Sequence, residues 1–109
     1  MRILTADDET AALNILNRAV LEAEPGAELR SFSLAREAVR EVSENGWRPD
    51  AAFLDIKMPG MSGLEMATAI REASPRTNIV FVTAFSDYAL DALSLHPSGY
   101  VMKPATAEK

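Results

Sequence analysis

The sequence predicts an α/β domain, a doubly wound parallel sheet of five strands with helices on both faces. Three observations lead there. Short apolar runs alternate with amphipathic helical patterns along the whole chain, which is the signature of βαβ units. The runs are apolar more than alternating, as strands covered on both faces require. The connections are short, and right-handed crossovers then place helices on both sides of one sheet.

Each element has its own justification. Arg2–Ala6 is a short apolar run that ends at two acids. Glu9–Ala23 carries Leu13, Leu16, Val20 and Ala23 on one helical face, and Pro25-Gly26 ends it. Glu28–Phe32 alternates as a strand. Ser33–Glu44 reads as a helix capped by Ser33, with a stripe of Leu34, Ala38 and Val42 and a stop at Asn45-Gly46. Ala51–Leu54 is a buried strand ending at Asp55. Pro59-Gly60 and Ser62-Gly63 mark a loop, and Leu64–Ala73 is a helix with Leu64, Ala67 and Ile70 inward. Asn78–Val82 is the most strand-like segment and ends at Thr83. Ser86–Leu95 is a helix stopped by Pro97, and Gly99–Met102 is the last strand, followed by Lys103-Pro104. Only Ala105–Lys109 remain, too few for a stable fifth helix. The expectation is one domain over 1–109 whose C-terminal helix is truncated, leaving a bare sheet face that a partner or a second copy could cover.

Composition narrows the function. The chain has 109 residues, a net charge of −5 and no cysteine. Disulfides and thiolate metal sites are excluded. Lysine and arginine never form a run, so no nucleic-acid footprint is visible, and the acidic balance disfavours anionic lipid. The apolar stretches are too short to span a bilayer, and the N-terminus lacks the pattern of a signal peptide. A cytoplasmic location is expected.

The polar residues then fall into place. Asp7 and Asp8 follow the first strand, Asp55 the third, Thr83 ends the fourth and Lys103 follows the fifth. All lie at strand C-terminal ends, the edge where ligands bind in open α/β sheets. Three carboxylates there repel one another and call for a positive partner. A hard divalent ion with oxygen ligands, such as Mg²⁺, supplies it. Lys103 offers a point charge and Thr83 a hydroxyl to a transferring phosphoryl group, chemistry that is mostly positioning and charge neutralisation. Asp55 is the natural nucleophile, since carboxylates form aspartyl phosphates. Taken singly, each residue has a plain structural reading. The acids can cap the first helix, Asp55 can be a turn residue, Thr83 and Lys103 ordinary loop residues, and Tyr100 a half-buried strand aromatic. Met58, Met61 and Met66 read as packing. Trp47 is assigned no role, and His96 reads as a helix C-terminal residue favoured by the dipole. The plain readings fail jointly, because independent accidents do not all land on one sheet edge.

Other functions on such a scaffold are separable. An aspartyl-phosphate phosphatase needs a general acid two residues beyond the nucleophile, where this chain has Lys57. A nucleotide or flavin binder needs phosphate-cradling glycines, where this chain has Asp7-Asp8-Glu9. A phosphorylation-independent interaction module on the same fold remains the alternative.

The set Asp7-Asp8, Asp55 with Met58-Pro59-Gly60 and Gly63, Thr83-Ala84 and Lys103-Pro104 resembles the receiver domain of bacterial two-component response regulators. The resemblance covers essentially the whole chain. It implies a flavodoxin-like sheet of order 2-1-3-4-5 and a phosphorylation-dependent switch that accepts a phosphoryl group on Asp55 from a sensor histidine kinase. It implies Mg²⁺ held by Asp8 and Asp55, by Asp7 through water, and by the backbone carbonyl of Lys57. Thr83 and Lys103 would contact the phosphoryl group, and Tyr100 would change rotamer as Thr83 moves. Lys57 and Phe85 would influence the rate of self-dephosphorylation. No enzyme activity beyond self-phosphotransfer and autodephosphorylation is implied. Asp87–Pro104 is similar to receivers that precede LytTR-type DNA-binding domains, so regulation of an output domain, and of transcription, is the expected role.

Overall fold

The computed structural model describes residues 1–83 and 98–102, with residues 100 and 102 described by backbone alone. In chain order the elements are β1 (Arg2–Ala6), α1 (Thr10–Ala23), β2 (Glu28–Phe32), α2 (Ala35–Ser43), β3 (Ala51–Leu54), α3 (Gly63–Ala73), β4 (Asn78–Thr83) and β5 (Gly99–Met102). The strands form one sheet in the order β2-β1-β3-β4-β5. Every pairing is parallel. The expected helix Ser86–Leu95, Phe85, His96, Lys103 and the tail from Ala105 lie outside the described residues, as does the side chain of Tyr100.

The apolar pattern of each strand matches its place in the sheet. In the interior strand β1, Ile3 to Ala6 are all buried, because both faces are covered. At the edge, β2 buries none of its residues fully. One face of the sheet packs Leu4, Ala6, Ala52, Leu54, Ile79 and Phe81 against α2 and α3. On the other face, Ile3 and Val82 meet Leu16 and Val20 of α1. Trp47 is buried in the first of these clusters. Its Nε1 donates to Glu28 Oε2 at 3.3 Å, and the Arg30 guanidinium lies 4.6 Å from its ring centroid. Arg30 also pairs with Glu41 at 2.8 Å. Hydrogen bonds from Asn45 and Arg30 hold the Glu41 carboxyl below its ordinary range.

The helix starts differ from the sequence expectation. Ser33 does not cap α2: the N-cap is Leu34, which makes no side-chain cap bond and is 55% exposed. The inward stripe is Ala35, Ala38 and Val42 rather than one beginning at Leu34. In α1, Leu16 and Val20 are buried, Leu13 only partly, and Ala23 is exposed. The helix after Asp55 begins at Gly63, one residue earlier than expected. Ser62 is its N-cap, in a capping box with Glu65. Gly46 and Gly60 take φ of 74° and 80°, so both turns use the left-handed region open to glycine.

Candidate functional site

The site is built at the C-terminal edge of the sheet. Ala6 of β1 is level with Leu54 of β3, so Asp7 and Asp55 emerge side by side from adjacent strands. The ladder extends one step further, since the Asp55 amide donates to the Ala6 carbonyl at 3.0 Å. On the opposite side of β1, the Asp7 amide donates to the Phe32 carbonyl of β2 at 3.1 Å. The strand order turns back on itself between β1 and β3, and a reversal of that kind opens a crevice.

Asp7 is 2% exposed and Asp55 4%, whereas Asp8 is exposed. Asp7 Oδ1 accepts the Glu9 amide at 2.9 Å, just ahead of α1. One carboxylate oxygen from each of Asp7, Asp8 and Asp55 lies within 4.8 Å of the others. Opposite ligands of an octahedral Mg²⁺ are ~4.2 Å apart, so the spacing is close to that of an oxygen shell around one small divalent ion. The donor set is all hard oxygen, and the exposed Asp8 keeps one side open to water and to an incoming oxyanion. The residues present therefore fit a hard divalent cation.

Thr83 ends β4 fully buried, one step beyond the level of Asp55. Its backbone pairs with Met102 at the end of β5. Tyr100 is level with Phe81 by backbone. Lys57 is an exposed residue of the loop between β3 and α3. The structure thus gathers Asp7, Asp8 and Asp55 and sets Thr83 beside them. Lys103 and the Tyr100 ring lie outside the described residues.

A family model for the response regulator receiver domain matches residues 3–109. The chain belongs to the response regulator receiver family. Receivers are the phosphorylation-dependent switches of two-component signalling. This receiver is 39% identical over 105 residues to the transcriptional regulatory protein BtsR of Escherichia coli, covering 95% of this chain and 42% of that one. It is 34% identical over 109 residues to the positive alginate biosynthesis regulatory protein of Pseudomonas aeruginosa, covering 99% of this chain and 43% of that one. The receiver thus spans about two fifths of the length of these curated relatives. Among solved structures, the response regulatory domain of mrkE from Klebsiella pneumoniae superposes with a TM-score of 0.86 at 27% identity, covering 99% of this chain and 87% of that one. The response regulator TrrA from Thermotoga maritima, solved in complex with Mg(2+)-BeF, superposes with a TM-score of 0.79 at 35% identity over 94% of this chain and 85% of that one. No described helix of the receiver is long and apolar enough to cross a membrane.

Two features of the loop and helix that follow the acceptor escaped the sequence reading. The capping box of α3 has a legible signature, Ser62 with Glu65 three residues on. The close approach of Gly63 to the acceptor's own backbone has none, because it depends on how the loop folds back.

Proposed function

We propose that Asp55 is the phosphoacceptor of this receiver, with a divalent cation held by Asp8 and Asp55 directly, by Asp7 through water, and by the Lys57 backbone carbonyl. The observation that carries the reading is the cluster of three carboxylates at the strand reversal, two of them buried. A Mg(2+)-BeF complex of a relative with 35% identity supports the choice of ion. Bound there, Mg²⁺ would neutralise the carboxylates and the incoming phosphoryl oxygens.

In the transfer step an Asp55 carboxylate oxygen attacks phosphorus. The bond from phosphorus to the donor breaks, and the donor leaves with its electron pair. Dephosphorylation reverses the roles: water attacks phosphorus, the carboxylate leaves, and the water proton goes to solvent. Lys103 and the Thr83 hydroxyl would hold the phosphoryl oxygens. A sensor histidine kinase is the donor and an output domain, of the LytTR DNA-binding type and acting on transcription, is the target. The 1–109 segment serves as the receiver domain of such a cytoplasmic regulator. Incubation with Mg²⁺ and a small phosphodonor should add one phosphoryl mass to the chain, and Asp55→Asn should abolish the gain. A folded Asp55→Asn variant that still gained it would overturn the assignment.

Phosphorylation adds charge and acceptor oxygens at a buried position. Movement of Thr83 toward them would open space for the Tyr100 ring, biasing a two-state equilibrium. Tyr100 ring signals in NMR should shift when a phosphoryl mimic binds. Identical signals with and without it would refute the coupling route.

A further inference from the structure

We propose that Gly63 is a positioning residue for the acceptor, a role that rests on the phosphoacceptor reading of Asp55. Beyond β3 the acceptor is held on two sides. Its own amide donates to the Ala6 carbonyl at 3.0 Å, and the carbonyl of the next residue, Ile56, accepts the Gly63 amide at 2.6 Å. The first turn of α3 is thereby pressed onto the Asp55–Ile56 peptide. A Cβ built on Gly63 would overlap the Asp55 carbonyl oxygen and stand 2.6 Å from Ile56 Cα. These neighbours are backbone and have no rotamer to yield. The glycine is not there for its dihedral freedom, unlike Gly46 and Gly60 with their positive φ. It is there because nothing larger than hydrogen fits between the helix and the acceptor's peptide. The contact sets how far the Asp55 peptide stands from α3, and so where its carboxylate meets those of Asp7 and Asp8.

A methyl group at Gly63 would force the two backbones roughly 1 Å apart to reach ordinary carbon–carbon contact. A misplacement of that size costs about 10²-fold in a reaction that depends on positioning.

The test measures Mg²⁺ affinity, phosphorylation rate at saturating Mg²⁺, and metal-free stability for the wild-type chain, Gly63→Ala and Ser62→Ala. Ser62→Ala loosens the same helix end without adding an atom near Asp55. Gly63→Ala should bind Mg²⁺ at least 10-fold more weakly and react ~10- to 100-fold more slowly, while Ser62→Ala keeps Mg²⁺ affinity within about twofold of wild type despite its lower stability. Equal losses of affinity in the two variants, or wild-type affinity and rate in Gly63→Ala, would overturn the proposal. Should Gly63→Ala not fold, the wild type decides by reciprocity. If the contact positions the site, Mg²⁺ with a phosphoryl mimic must in turn protect the Gly63 amide from hydrogen exchange, and unchanged protection overturns the role. A wild-type chain that neither binds Mg²⁺ nor gains phosphoryl mass would instead fail the phosphoacceptor reading, and this inference with it.

Discussion

Two residues before Asp7, β1 carries a polar side chain into an otherwise apolar interface. Thr5 is fully buried. Its Oγ1 donates to Asn17 Oδ1 at 2.7 Å, and the Ser31 hydroxyl lies 2.8 Å away. Asn17 Nδ2 donates to Ser31 Oγ at 2.8 Å. The amide nitrogen of Asn17 can only donate, and the one Thr5 hydroxyl proton goes to Asn17 Oδ1, so Ser31 accepts from Asn17 and donates to Thr5, and the three groups close a ring in which each gives and receives one bond. The ring ties α1 to β1 and β2 directly behind the acidic cluster. Thr5→Val keeps the shape but opens the ring, leaving Asn17 and Ser31 each short of a partner. Because Ser31 is exposed and Asn17 half-buried, it should lower stability by about 0.5–1 kcal/mol in urea unfolding. A loss near zero would mean that water replaces the missing hydroxyl.

At the scale of elements, burial overrules capping preference. Serine is a favoured N-cap, yet Ser33 yields that position to Leu34. Starting α2 there turns Ala35, Ala38 and Val42 onto the sheet, and their packing outweighs a cap bond worth about 1 kcal/mol. An unsatisfied helix end is left behind, with an exposed leucine on it. Leu34→Asp should therefore raise stability by ~0.5–1 kcal/mol, through a cap bond and the helix dipole, because little apolar burial is lost. The check is a higher denaturant midpoint at unchanged slope. The five strands were legible at nearly their observed bounds, since apolar runs such as Ile3–Ala6 and Ile79–Val82 stop at turn residues or at the acids themselves. Helix starts were less legible, because both Ser33 and Gly63 carry local signals that long-range packing overrides. The acids of the site were legible as strand-end residues. Their division into buried Asp7 and Asp55 and exposed Asp8 was not, because side-chain alternation lapses where the ladder ends.

For the molecule as a whole, the acidic cluster should make stability depend on cation. Three carboxylates within 4.8 Å repel one another when nothing positive lies among them, and a cation that binds only the folded sheet stabilises it by mass action. Mg²⁺ at a hundred times its dissociation constant should add about 2.7 kcal/mol, seen as a rise in Tm of roughly 10 °C that a chelator reverses. Asp8→Asn should remove most of that rise. An equal rise in the variant would place the cation elsewhere.

The chain contains a single tryptophan. Trp47 is 6% exposed and bonds Glu28, the first residue of β2, while Asp55 leaves β3 at its far end. The indole's hydrogen bond is therefore made to the end of β2 away from the edge that carries the acids. Its intrinsic fluorescence should report assembly of the sheet against α2 and change little when metal binds at the pocket; a large change on Mg²⁺ addition to the folded chain would show that the two are coupled. Unfolding can thus be monitored optically in the presence of metal and phosphodonor, with one signal for integrity and mass for occupancy.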